Sequence, residues 1–142
     1  MKTGRWTQIL RLADNHRIMR LALIDDDEMA RSLLARALRK AGHAIAFESP
    51  DGSHALTQLA AADVDAIITD CQMPHMDGLA LTRALRSRGD TRPIIMLSGL
   101  AEEMIIRVAL SIGVTRYLIK PFNETILLAA LNDVTASREV AA

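Results

Sequence analysis

The chain has 142 residues, half of them hydrophobic and only 3% aromatic, with seventeen basic and seventeen acidic side chains and zero formal net charge. That is about one domain's worth of aliphatic core, and the balanced charge gives no general attraction to nucleic acid. A single cysteine, Cys71, excludes an intrachain disulfide, and no apolar run reaches the ~18 residues of a membrane span. With no signal-peptide h-region, the expected location is the cytoplasm.

Residues 1–19 stand apart as an N-terminal extension. Trp6, Ile9, Leu10 and Ala13 share a helical face with Lys2, Arg5, Arg11 and Arg17 around them, so a short amphipathic helix or an unstructured arm is expected. Leu21–Ile24 reads as a first strand. Met29, Leu33, Leu34, Ala37 and Leu38 then recur at helical spacing up to Gly42, with Arg31, Arg36, Arg39 and Lys40 on the other face. A weaker strand follows at Ala44–Phe47, a turn at Ser49-Pro50-Asp51-Gly52, and a helix over about 53–61. Ala66-Ile67-Ile68 forms a third strand ending in Asp70. The segment beyond it breaks at Met73-Pro74 and turns at Asp77-Gly78. A helix over 79–88, a strand over Pro93–Leu97, a helix over 101–112, a strand over Thr115–Ile119 and a last helix from Asn123 complete the chain, with a C-terminal tail at 137–142.

Five strands alternating with five helices predict an α/β fold, a doubly wound parallel sheet of flavodoxin-like order 2-1-3-4-5 over residues 20–136. In such a sheet the strand ends lie on one edge, where ligands bind. The residues there are Asp25-Asp26-Asp27-Glu28, Asp70, Ser98-Gly99 and Lys120-Pro121. Taken singly each has an ordinary reading, as a helix-start acid, a loop hydroxyl or a surface lysine. Together they bring carboxylates, a hydroxyl and an ammonium to one cleft. Clustered carboxylates call for a cation, and oxygen donors suit Mg²⁺; zinc lacks a His/Cys ligand set. An aspartate beside Mg²⁺ and a lysine can attack phosphorus and form an acyl phosphate.

These segments resemble the receiver domain of two-component response regulators. The residues carrying the resemblance are Leu23–Asp27, Asp70–Gly78, Met96–Gly99 and Tyr117–Phe122, in order and at suitable spacing. The resemblance implies a signalling module rather than a dedicated enzyme, in which Asp70 accepts a phosphoryl group from a histidine kinase or histidine phosphotransfer protein. It further implies Mg²⁺ held by Asp26 directly, Asp25 through water, Asp70, and the Gln72 backbone carbonyl. Lys120 and Ser98 would contact the phosphoryl oxygens, and Ser98 and Tyr117 would form a switch in which Tyr117 turns inward. Pro121 would follow a cis peptide, and Gly78 would be structural. The readout would be a downstream protein bound on the 101–122 face, or a phosphorylation-linked dimer through it.

Leu100, two residues past Ser98, is apolar and predicts slow loss of the phosphoryl group. Cys71 is expected to point away from the site, and His75 to lie on the surface. Two other classes compete. A phosphohydrolase of the haloacid-dehalogenase type needs an acid where Gln72 stands, and a flavin carrier suits neither the scarce aromatics nor the acidic rim. With the chain ending soon after the fifth helix, no output domain and no nucleic-acid patch are expected. A stand-alone receiver and a piece of a longer regulator both remain open.

Overall fold

Every other residue of the central strands is apolar toward one face, and the next is apolar toward the other, so a sheet built from them must be covered on both sides. The computed structural model, which describes residues 18–141 with side chains through 134, has that arrangement. β1 (Arg20–Ile24), α1 (Glu28–Lys40), β2 (Ala44–Ser49), α2 (Gly52–Ala61), β3 (Ala66–Asp70), α3 (Gly78–Ser87), β4 (Ile94–Ser98), α4 (Glu103–Ser111), β5 (Arg116–Ile119) and α5 (Glu124–Ala141) follow in order. The five strands pair in parallel as β2-β1-β3-β4-β5, the order expected. The N-terminal segment expected as a helix or arm lies outside the described residues over 1–17. Met19, by contrast, is buried and its amide N–H donates to His43 Nδ1 at 3.2 Å.

Strand alternation divides the core in two. Leu21, Leu23, Ile68, Ile95 and Leu97 face Leu38 of α1 and Leu127, Leu131 and Val134 of α5. Ala22, Ile24, Ile67, Ile94 and Met96 face Leu59 of α2, Leu81 and Leu85 of α3, and Ala109 of α4. Burial of each such Leu or Ile stabilises by about 1.5–3 kcal/mol. The outer strands β2 and β5 are only half-buried.

Helix starts follow side-chain caps. Asp27, Asp51 and Asp77 each accept amide N–H bonds from the first turn of α1, α2 and α3, and Asn123 does the same for α5. α4 is the exception. Its N-cap, Glu102, makes no side-chain cap bond, and the helix begins at Glu103 rather than at the expected 101. α5 runs on through residues 137–141, which the sequence reading set apart as a tail.

On the edge away from the strand C-termini, two arginines tie the loops together. Arg86 donates to the carbonyls of Gly113, Asp90 and Arg92 at 2.7–3.1 Å. Arg92 binds the Asp90 carboxylate at 2.7 Å and the carbonyls of Ala62 and Leu59 at 2.9 and 2.8 Å. These bonds satisfy carbonyls where helices and strands end.

Candidate functional site

At the opposite edge the ladders continue one residue beyond the strands. Asp25 N–H donates to Ser49 O at 3.0 Å, Cys71 N–H to Leu97 O at 3.0 Å and Lys120 N–H to Ser98 O at 2.7 Å. Each loop that carries a polar group is therefore fixed to the neighbouring strand before it leaves the sheet. Asp70 and Ser98 are themselves the last residues of β3 and β4.

The loop after Asp70 is held against its own strand. Gly78 N–H donates to Cys71 O at 2.8 Å, and a Cβ on Gly78 would stand 2.4 Å from Asp70 O and 3.1 Å from Cys71 Cα. Only glycine permits that approach, which explains the Asp-Gly step in physical terms. His75, exposed, adopts a left-handed φ of 68°, and Met76 O accepts the Gly52 N–H at 3.2 Å, docking the loop on α2.

Asp70 Oδ1 accepts two bonds, from Cys71 N–H at 3.0 Å and from the Lys120 ammonium at 3.2 Å. One oxygen of each of Asp25, Asp26 and Asp70 lies within 4.8 Å of the others. Asp25 is buried, Asp70 partly so and Asp26 exposed. Burial raises the Asp25 carboxyl above the usual range. The Asp27 N–H opposes this, Asp70 adds to it, Lys120 opposes it, and Asp26 adds to it. Three carboxylates against one ammonium leave an excess of negative charge on a set of hard oxygen donors. That donor set fits Mg²⁺, which takes oxygen ligands and tolerates water in the remaining positions.

Beside this cluster, Ser98 and Tyr117 hold the same residue. Ser98 Oγ, 1% exposed, accepts the Leu100 N–H at 3.0 Å, and the Tyr117 hydroxyl donates to the Leu100 carbonyl at 2.7 Å. Burial raises the Tyr117 hydroxyl, and the Ser98 hydroxyl beside it works in the opposite direction. Tyr117 thus already packs against the α2–α4 side of the core. Cys71 is buried in that same half of the core, its thiol pushed up by burial and by the Asp77 charge, with Ser98 opposing. Gln72 is exposed two residues past Asp70, and the Lys120–Pro121 peptide is cis.

Asp25, Asp26, Asp70 and Lys120 therefore converge, and Ser98 ends the adjacent strand. Sequence reasoning missed Arg31 and the two backbone groups of Leu100. Arg31 reads as one cation of a solvated helix face, yet it donates to Asp25 O at 2.5 Å and to the Glu48 carboxylate at 3.2 Å. Nothing in the spacing of Arg31 and Glu48 announces that pairing.

The response regulator receiver domain model matches residues 21–132. Among curated proteins, the chain is 40% identical over 114 residues to response regulator MprA of Mycobacterium avium, covering 80% of this chain and 49% of MprA. It is 35% identical over 129 residues to a chemotaxis CheY homolog of Campylobacter jejuni, covering 87% of this chain and 99% of the homolog. The chain thus spans about half the length of the MprA relatives and nearly the whole of the CheY homolog. Among solved structures, the receiver domain of Francisella response regulator 1452 superposes with a TM-score of 0.80 at 27% identity, covering 84% of this chain and 98% of that one.

Proposed function

Since the chain belongs to the response regulator receiver family of two-component systems, we propose that it is a phosphorylation-dependent signalling module whose phosphoacceptor is Asp70. The observation that carries the reading is the Asp70 carboxylate on a strand end, 3.2 Å from the Lys120 ammonium and grouped with Asp25 and Asp26. Its donor is a histidine kinase or a histidine phosphotransfer protein.

In the transfer, a carboxylate oxygen of Asp70 attacks the phosphorus of the donor's phosphohistidine. The new O–P bond forms as the P–N bond breaks, and the imidazole leaves with the bonding pair. Both donors to Asp70 sit on Oδ1, so Oδ2 offers the lone pair. Asp25, Asp26, Asp70 and the Gln72 carbonyl would hold Mg²⁺, which when bound offsets charge on the phosphoryl oxygens. Lys120 exchanges its contact with Asp70 Oδ1 for a phosphoryl oxygen, keeping a charge-assisted bond throughout. The Cys71 N–H and the Gly78 contact hold the acceptor still during attack. Among the described residues the chain supplies the acceptor and its charge partners; as in other receivers, it is a signalling protein and not a dedicated enzyme.

Phosphorylation adds roughly −1.5 to −2 charge and three strong acceptors. Ser98, freed from Leu100 N–H, donates to one of them, and the strain passes to the Leu100 carbonyl held by Tyr117. The 101–122 face then changes, and on it Met104 is 72% exposed and Ile119 43%. Apolar side chains in that position suit a downstream protein or a second receiver. No helix of the described residues is long and apolar enough to cross a membrane; a cytoplasmic location and action without direct nucleic-acid contact complete the proposal. Incubation with a small phosphodonor and Mg²⁺ should add one phosphoryl group to the wild type and none to Asp70→Asn. Labelling of the variant to the wild-type extent would refute it.

A further inference from the structure

The acidic pair that follows β1 is only as useful as the loop that presents it, and its backbone is held from three directions. Asp25 N–H donates to Ser49 O at 3.0 Å, its carbonyl accepts from Arg31 Nη1 at 2.5 Å, and its Oδ1 accepts the Asp27 N–H at 2.9 Å. Arg31 is itself fixed. Its Nε donates to Glu48 Oε1 at 3.2 Å, and its side chain is 16% exposed although it stands on the first turns of an otherwise solvated helix face. Glu48 is also reached by Arg39 at 3.8 Å. A largely covered guanidinium is costly unless its donors are used, and here Nε and Nη1 serve two acceptors on two different elements. One planar fork therefore spans the end of β2 and the turn after β1.

Arg31 meets Asp25 on its carbonyl side. Its contribution is therefore geometric: it fixes the peptide linking Asp25 to Asp26, and with it the directions in which both carboxylates leave the loop. Resting on the reading of this cluster as a Mg²⁺ site, we propose that Arg31, braced by Glu48, is a positioning residue for the metal-holding pair Asp25 and Asp26.

Outer residues that orient metal ligands typically change affinity by about 10–100-fold when removed. Mg²⁺ is titrated into the unphosphorylated protein, with binding read by calorimetry and by the amide NMR shifts of Asp26 and Asp27. All variants are compared at a temperature where each is fully folded, so a loss of stability alone leaves the affinity unmoved. Arg31→Ala is expected to weaken Mg²⁺ binding by about tenfold, the low end of that range. Arg31→Lys should recover part of the loss, because one ammonium can reach Asp25 O or Glu48 but does not present the fork. Glu48→Gln, which leaves an acceptor in place, should lose less than Arg31→Ala. Wild-type affinity in folded Arg31→Ala would overturn the role of Arg31 while leaving the metal site standing. Absence of Mg²⁺ binding in the wild type would overturn the site reading and this proposal with it, and Asp26→Asn, expected to bind far more weakly, marks that difference.

Discussion

Replacing Gly78 by alanine tests the link between backbone packing and the acceptor. The added methyl would sit 2.4 Å from Asp70 O, 3.0 Å from Met96 Cε and 3.1 Å from Cys71 Cα. Met96 Cε can swing aside, but the other two atoms belong to the backbone of the acceptor and its neighbour. The loop must lift, stretching the Gly78 N–H to Cys71 O bond of 2.8 Å. Overpacking of this kind costs about 1–3 kcal/mol. For a domain of this size each kcal/mol moves Tm by about 3–5 °C, so a fall of roughly 3–15 °C is expected. Because the clash is with Asp70 itself, phosphorylation by a small donor should slow even at temperatures where the variant is folded. Gly99→Ala is the control: nothing lies within 4 Å of a Cβ there, so its Tm should stay close to that of the wild type. Thermal unfolding by circular dichroism and phosphorylation rates measure both. A Gly78→Ala protein melting with the wild type and phosphorylated at its rate would refute the argument.

Three further outcomes are expected. Mg²⁺ should raise Tm and a chelator should lower it again, because a ligand of the folded state stabilises by about 2.7 kcal/mol at a hundredfold excess over Kd; an unchanged Tm would contradict the fit of Asp25, Asp26 and Asp70 to the ion. Asp90→Asn should cost about 1–2 kcal/mol at pH 7 through its bonds to Arg92. Burial pushes the Asp90 carboxyl up, but the Arg92 side chain and amide outweigh it and hold it below the usual range. A depressed folded pKa gives stability that is present above the unfolded value and lost as pH falls through the folded one. Urea unfolding curves of wild type and variant should thus keep their gap down to about pH 4, the free aspartate value, and close it only as pH falls further through the depressed folded value; a gap undiminished over that descent would exclude the charged bond as its source. Ser98→Ala should still take a phosphoryl group, while the phosphorylation-induced amide shifts at Leu100 and Tyr117 shrink markedly; undiminished shifts would remove Ser98 from the coupling.

How much of this was legible in the sequence follows from what each element needs. The strands β1, β3 and β4 announced themselves because burial on both faces demands continuous apolar runs, whereas Asp51 and Asp77, read from the sequence as turn residues, prove to be the side-chain caps that start α2 and α3. The edge strand β2 was weaker because a half-buried strand needs no such run. The start of α4 was placed early: Glu102 makes no cap bond, so periodicity alone had to mark the boundary. Asp25, Asp26, Asp70, Ser98 and Lys120 could be gathered because a parallel sheet puts its strand ends on one edge. Arg31, Arg86 and Arg92 could not be assigned, since their partners are backbone carbonyls or lie in other elements, and a carbonyl leaves no mark on residue type. The grip of Ser98 and Tyr117 on Leu100 was hidden for the same reason.

The central claim is that the carboxylate of Asp70 forms the acyl phosphate. Borohydride reduction of the protein after reaction with a small phosphodonor and Mg²⁺ converts an aspartyl phosphate to homoserine, and peptide mass spectrometry reads its position. Homoserine at position 70 alone is the predicted result; homoserine at position 25 or 26 instead, or none anywhere, would contradict the account.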